Sequence, residues 1–298
     1  MKLKVALAQI APVWLHRSAT TAKIVEYISQ AGNQNCELIV FGETILPGYP
    51  FWIQYTDGAR FDSLVQKEWY AHYVMQAVSI PEDLKDICAA CANYQIALAL
   101  GVVERAADRG GHSVYCTAVY IDAFGYIKST HRKLMPTYEE RLLWAAGDGH
   151  GLVVHQLNPF HLGVLNCWEN WMPLSRTALY AQGESLHVAL WPGDIRNTID
   201  ITRFIAKESR SFVISACGVL KKSDIPVETP HYELLMERCP DVMANGGSCM
   251  AMPTGDWLIE PVGHREVLIV AELDYQLVLQ ERQNFDVAGH YSRPDVTR

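Results

Sequence analysis

Three reactive side chains lie just past the ends of strand-like runs, two of them apolar and one the arm of a hairpin. Glu43 follows "ELIVF" (37–41), Lys133 follows "YIKSTHR" (126–132) and Cys167 follows "LGVLN" (162–166). Each has an ordinary reading on its own. A free cysteine usually packs as a small hydrophobe, a carboxylate after a strand caps a turn, and a lysine in "HRK" belongs to a solvated face. In open α/β sheets, however, ligands gather beyond the carboxyl ends of the strands, so the three ends together point to one site. A thiol supplies a nucleophile, a carboxylate takes its proton and later activates water, and a fixed ammonium stabilises an anionic intermediate. That is acyl-transfer or nitrile chemistry with no metal.

The surrounding residues suit this work. In "HLGVLNCWENWMPL" (161–174) the cysteine stands where a strand stops and the chain turns, ahead of a helix opened by Pro173. Such a strand-to-helix turn exposes the side chain and frees the next backbone N–H. A helix N-terminus and a nearby ammonium are expected to lower the Cys167 pKa. Glu43 precedes "TILPGYP" and Lys133 precedes "LMPT", both loops stiffened by proline.

The elements that must position these groups alternate along the chain. "LKVALAQI" (3–10), "ELIVF" (37–41) and "IALALGVVE" (96–104) read as buried strands, and 17–32, 62–79 and 82–92 carry helical spacing. Residues 114–133 read as a hairpin around Ala123-Phe124-Gly125, and "GLVVHQL" pairs with "FHLGVLNC" around Asn158-Pro159. Helix 173–183, strand 187–191, helix 199–210 and strand 212–220 follow, then strands near 248–252, 256–260 and 266–273 and a short helix. Helical crossovers require parallel strands and hairpins antiparallel ones, so mixed sheets with helices outside are expected. No linker divides the series, and 1–298 is expected to be one domain. The irregular stretch 221–247 reads as a functional flap or a local insertion.

Bulk composition narrows the function classes. The 298 residues are 49% hydrophobic and 19% charged, an ordinary globule, and the net charge of −8 disfavours nucleic acid or an anionic membrane as partner. Eight scattered cysteines suit a reducing compartment. Gln9 interrupts the first apolar run, so no signal peptide is expected, and the longest apolar span carries Asn93, Tyr94 and Gln95; a cytoplasmic location is expected. Cys88-x-x-Cys91 lies in a helical pattern with no second zinc-like pair, which favours packing. The 11 histidines form no metal motif, and His131, beside Lys133, reads as a solvated strand end, with support of the lysine as the alternative. No phosphate loop appears, so no cofactor is implied.

The blocks "FGETILPGYP", "HRKLMPTYEERLLWAAGDG" and "NCWENWMPLSRTALYAQGE" resemble the three signature blocks of the nitrilase (carbon–nitrogen hydrolase) superfamily, and "FDVAGHYSRPDV" is similar to the tail of its nitrilase branch. The resemblance runs from Lys4 to Val296. It implies a four-layer α-β-β-α sandwich with Glu43 as general base, Lys133 as stabiliser of the tetrahedral intermediates and Cys167 as nucleophile. Glu140 falls where the family places another carboxylate that holds the lysine and substrate, and the Trp168 N–H would share the developing charge. Asn170 departs from the histidine many nitrilases carry after "CWE". The chain stops soon after "SRPDV", where many relatives carry a tail associated with filaments, so a homodimer or higher homo-oligomer is expected, with a dimer favoured over long spirals.

A slender nitrile asks for a largely apolar pocket. Tyr49, Trp52, Tyr138, Trp168 and Trp191 are the aromatic candidates to line it, with Asn170 beside them and Phe51 as a further possibility. An aromatic or arylaliphatic nitrile, hydrolysed with water, is the expected substrate. The alternatives are an amidase or carbamoylase on the same triad, and a non-catalytic assembly protein that kept the fold.

Overall fold

The computed structural model describes residues 1–296. Its first sheet runs in the order β13 (Val267–Asp274), β1 (Lys2–Gln9), β2 (Leu38–Phe41), β3 (Ala97–Arg105), β4 (Val114–Ile121), β5 (Ile127–Arg132). The second runs β10 (Val219–Lys221), β11 (Val242–Ala251), β9 (Phe212–Cys217), β8 (Leu186–Trp191), β7 (Phe160–Asn166), β6 (His155–Leu157), with β12 (Trp257–Gly263) paired to β11. β1–β2–β3 and β7–β8–β9 are parallel, and the other neighbours are antiparallel.

The parallel strands are joined through helices. α1 (Arg17–Gly32) connects β1 to β2. α2 (Trp52–Tyr55), α3 (Leu64–Gln76) and α4 (Lys85–Tyr94) lie between β2 and β3. α5 (Pro173–Tyr180) connects β7 to β8, and α6 (Ile195–Thr198) with α7 (Ile201–Ser209) connects β8 to β9. Ile24, Ile28 and Ala31 repeat at helical spacing and turn α1 onto the outer face of the first sheet, where α4 joins it through Ile87, Ala90 and Cys91. Cys91 is thus core, as the packing reading of the Cys88–Cys91 pair requires. On the second sheet Ile201, Ile205 and Ala206 of α7 pack against Ala189, Val213 and Ala251.

Between the sheets the alternate strand residues meet: Leu3, Val5 and Leu7, Leu38 and Val40 face Leu162 and Val164, Leu186, Val188 and Leu190, Phe212 and Ile214. Helix, sheet, sheet, helix is the expected four-layer order.

Three boundaries differ from the sequence reading. The expected helix 199–210 is two pieces, the first starting at Ile195 because Asp194 Oδ1 accepts the Arg196 N–H at 3.0 Å and caps it. The expected strand 212–220 breaks at Gly218, after which the Val219 N–H donates to Ile10 O (3.1 Å) and the chain moves to pair with β11. The stretch 221–247 is more regular than expected. It contains α8 (Tyr232–Arg238), whose Leu235 is buried among Trp52, Trp69 and Tyr73, and the first residues of β11. The final helix is α9 (Tyr275–Arg282).

Two glycines bring the sheets' ends together. A Cβ on Gly42 would lie 2.7 Å from Trp191 O and 2.9 Å from Gly218 N, and one on Gly101 would lie 2.6 Å from the Glu43 Cα. Only the bare backbone lets the loop after β2 lie against β3 and also reach the second sheet, where the Glu43 N–H donates to Trp191 O at 3.0 Å.

Candidate active site

The residues after β2, after β5 and after β7 converge. Lys133 Nζ donates to Glu43 Oε1 at 2.9 Å and to Glu140 Oε2 at 2.7 Å, with all three side chains essentially inaccessible to solvent. Donor atoms of Glu43, Glu140 and Cys167 lie within 4.8 Å of one another. That spacing suits a metal ion, but the Lys133 ammonium already lies against both carboxylates and would repel a second cation.

Local structure aims each group. Cys167 opens a 3₁₀ turn (Cys167–Trp171) with φ of 47°, a left-handed conformation that costs a non-glycine residue about 1–3 kcal/mol and presents its side chain at a sharp bend. Glu140 sits in the third position of a second 3₁₀ turn (Tyr138–Leu142), where its Oε2 also accepts the Thr137 N–H at 2.6 Å. Its Oε1 accepts the Tyr49 hydroxyl at 2.9 Å. Glu43 Oε2 is buried and has no hydrogen-bond partner among the described residues.

Electrostatics follow from this burial. Desolvation raises the Glu43 pKa to about 7 against the opposing pull of Lys133, with Glu140 adding to the rise. Burial works to lower the Lys133 pKa, but the charges of Glu43 and Glu140 outweigh it and hold the ammonium charged. The expectation for Cys167 is corrected. Burial and the charge of Glu43 push its thiol well above the ordinary range, while Lys133 and the Trp168 N–H pull it down too weakly to compensate. The resting cysteine is a neutral thiol.

A cavity of about 370 Å³ opens onto Cys167 and Glu140. Glu43 and Lys133 are not part of its wall. Tyr49, Phe51 and Trp168 line it, as do Met243 from the 221–247 stretch and the polar Gln54, Glu139, Asp194, Arg196 and Asn197. The lining is therefore mixed, where a largely apolar one was expected.

Four expected lining residues lie elsewhere. Trp52 stacks on Trp69 at 5.1 Å in the core, driven there by the aromatic cluster of α2 and α3. Trp191 is wholly buried under α7, with its indole N–H donating to Ser215 Oγ at 3.3 Å. Tyr138 is 81% exposed and faces a separate depression beside Ile53 and Leu142, because its turn points it away from Glu140. Asn170 is buried behind the nucleophile: its Nδ2 donates to Cys167 O at 2.8 Å and its Oδ1 meets His187 Nε2 at 2.8 Å. The His187 Nδ1 in turn lies 3.0 Å from Glu184 Oε1.

A second set of supports lies behind the triad, and sequence reasoning named His131 only as the lesser alternative and missed Glu169. His131 is not a solvated strand end: it is buried, with Nε2 3.1 Å from Glu169. Glu169 also accepts the Leu134 N–H at 2.6 Å and the Asn166 N–H at 2.9 Å, so one carboxylate ties the lysine loop to the cysteine loop. Its place in "CWEN" was visible, but its partners are 35 residues away at Leu134 and no spacing announces them.

The carbon–nitrogen hydrolase family description matches residues 4–283. The chain belongs to that family. It is 37% identical over 300 residues to a "Nitrilase 2" from an unknown prokaryotic organism, spanning 100% of this chain and 91% of that one. It is 35% identical to an "Aliphatic nitrilase" of Sinorhizobium fredii, spanning 99% of this chain and 94% of that protein. Among solved structures, an amidase from Nesterenkonia sp. superposes with a TM-score of 0.69 at 19% identity, covering 95% and 94% of the two chains, which places the hydrolase in the same fold.

Proposed function

We propose that this hydrolase converts an organic nitrile and two waters to the carboxylic acid and ammonia. Cys167 adds to the nitrile carbon while Glu43 Oε2 takes the thiol proton and passes it to nitrogen, giving a thioimidate. Water deprotonated by Glu43 adds to that carbon. The tetrahedral adduct then collapses, the amine leaves as ammonia, and Lys133 and Glu140 hold the charge in place. A thioester remains, and a second water cleaves it to release the acid and restore the thiol.

The observation that carries this reading is the unpartnered, buried Glu43 Oε2 in the same cluster as a neutral thiol that opens onto a cavity. A group waiting to accept a proton should be basic near neutrality and otherwise unengaged. The same intact cluster argues against a non-catalytic assembly protein.

Matched pairs of nitriles and amides test the assignment. Nitriles are expected to release ammonia and acid, with their amides turning over at least ~10-fold more slowly; release from amides alone would move the enzyme to the amidase reading. Tyr49, Phe51 and Trp168 in the cavity lining support an aromatic or arylaliphatic nitrile, and the polar residues beside them favour one that also carries a polar group.

The pH profile is a second expected result. Glu43 must be ionised to act, and its pKa is raised to about 7. The kcat/KM should therefore fall as pH drops below 7 and level off above it. A flat profile between pH 5 and 8 would remove Glu43 as the base.

We read the chain as one domain, consistent with a first sheet in which β1 and β13, from the two ends of the chain, pair along their length. Among the described residues no helix is long and apolar enough to cross a membrane. All eight cysteines are free, which supports a reducing, cytoplasmic setting. Trp171, Ile199 and Phe204 line an exposed groove beside α7, and we read this face as the contact of a homodimer. Phe204→Asp should then reduce the mass found by sedimentation; an unchanged assembly would exclude this face.

A further inference from the structure

Among the buried thiols that the mechanism does not use, one touches its base. Cys116 on β4 lies wholly inside the protein, and its Sγ donates to Glu43 Oε1 at 3.2 Å. Its backbone carbonyl accepts the Lys133 N–H at 2.8 Å, so the same residue touches the base through its side chain and the lysine through its backbone. Glu43 Oε1 thus receives two donors, Lys133 Nζ and Cys116 Sγ, whereas Oε2 receives none.

We propose that Cys116 is a positioning residue for Glu43, fixing Oε1 with a weak donor so that Oε2 is left as the basic oxygen facing the nucleophile. This inference rests on the reading of Glu43 as base. A carboxylate held by Lys133 alone at one oxygen retains freedom to rotate and exchange its two oxygens. A second donor at the same oxygen removes that freedom. A hydroxyl or amide would do so too, but each donates strongly and draws charge from the carboxylate, whereas an S–H is a weak donor.

The thiol can serve as a donor because it stays protonated. Burial and the facing charge of Glu43 push it well above the ordinary cysteine range. The other ionisable groups facing Glu43 are Lys133, Glu140, Cys167, Tyr49 and Tyr73. All of them remain in the variants below, so a shift can be assigned to the thiol.

The test measures kcat, KM and the pH dependence of kcat/KM for wild type, Cys116→Ala and Cys116→Ser, with Glu43→Gln alongside. In Cys116→Ala, kcat should fall about 10-fold with KM within about twofold, the signature of lost transition-state alignment. Its acid limb should move to higher pH, because a hydrogen bond that favours the ionised carboxylate is gone. Cys116→Ser nearly preserves the packing and supplies a stronger donor, so its acid limb should lie at or below that of wild type with kcat partly restored. The serine variant carries the test if the alanine variant does not fold: a rise in its acid limb overturns the proposal. Lower melting temperatures with acid limbs unmoved in both variants would also overturn it, leaving Cys116 as packing. Turnover surviving in Glu43→Gln would instead overturn the base assignment itself.

Discussion

Cys167→Ala is expected to lose turnover by at least ~10⁴-fold while remaining folded. The neighbouring thiol cannot replace the nucleophile: Cys116 is enclosed and its S–H is engaged in a hydrogen bond to Glu43. Removing a sulfur that is 2% exposed sacrifices a small apolar contact, about 1 kcal/mol. The left-handed backbone at 167 costs alanine the same as cysteine. The melting temperature should therefore stay within about 3 °C of wild type for a chain of this size. Calorimetry should still detect nitrile binding, since the cavity wall is otherwise intact. Turnover above about one percent of wild type would remove Cys167 from the nucleophile's role. Cys167→Ser should be almost as inactive, because a hydroxyl gives up its proton far less readily to a base with a pKa of about 7.

Lys133→Met is expected to damage both activity and stability. In the native protein one ammonium satisfies two buried carboxylates, Glu43 at 2.9 Å and Glu140 at 2.7 Å. Without it the carboxyl groups face each other with no cation, and like charges in a dry site cannot both ionise. Breaking a buried ion pair from one side costs about 3–5 kcal/mol, and losing a charge that stabilises an anionic intermediate costs about 10²–10³ in kcat. The stability loss has a defined pH sign. Protonating either carboxyl relieves the conflict, so the deficit should be largest at pH 8 and shrink toward pH 5. Denaturant titrations of both proteins at the two pH values check this; an equal deficit at both would mean that the carboxyl pair is not its source. Lys133→Arg should not rescue activity, because a planar guanidinium cannot occupy the pocket of an ammonium.

Much of this arrangement was readable from the chain. The strand ends at Glu43 and Cys167 follow from apolar runs that stop at polar residues, and the one at Lys133 from a hairpin arm. The order of the parallel strands follows from the helices between them. What escaped depends on distant partners. Tyr138 and Trp52 are aromatic and close in sequence to Glu140 and Glu43, yet one turns to solvent and the other joins an aromatic core with Trp69. Nearness along the chain does not fix the direction of a side chain in a turn. The Cys167 thiol was expected to be acidified by Lys133, but the lysine is shared with two carboxylates, and their charge becomes apparent only in three dimensions. His131 and Glu169 look like separate surface residues until the hairpin and the cysteine turn come together.

Glu43 and Lys133 come from one sheet and Cys167 from the other, and the hydrogen bond from the Glu43 N–H to Trp191 O is a place where the two backbones touch. The seam between the sheets is therefore the alignment device of the catalyst. Sliding one layer against the other by a fraction of an ångström changes the nucleophile–base separation while leaving each sheet's own hydrogen bonds intact. Packing substitutions deep between the sheets, such as at Leu190 or Phe212, thus reach the chemistry without touching the cavity. Turnover becomes a more sensitive gauge of how well the sandwich is closed than melting temperature, which records only when it comes apart.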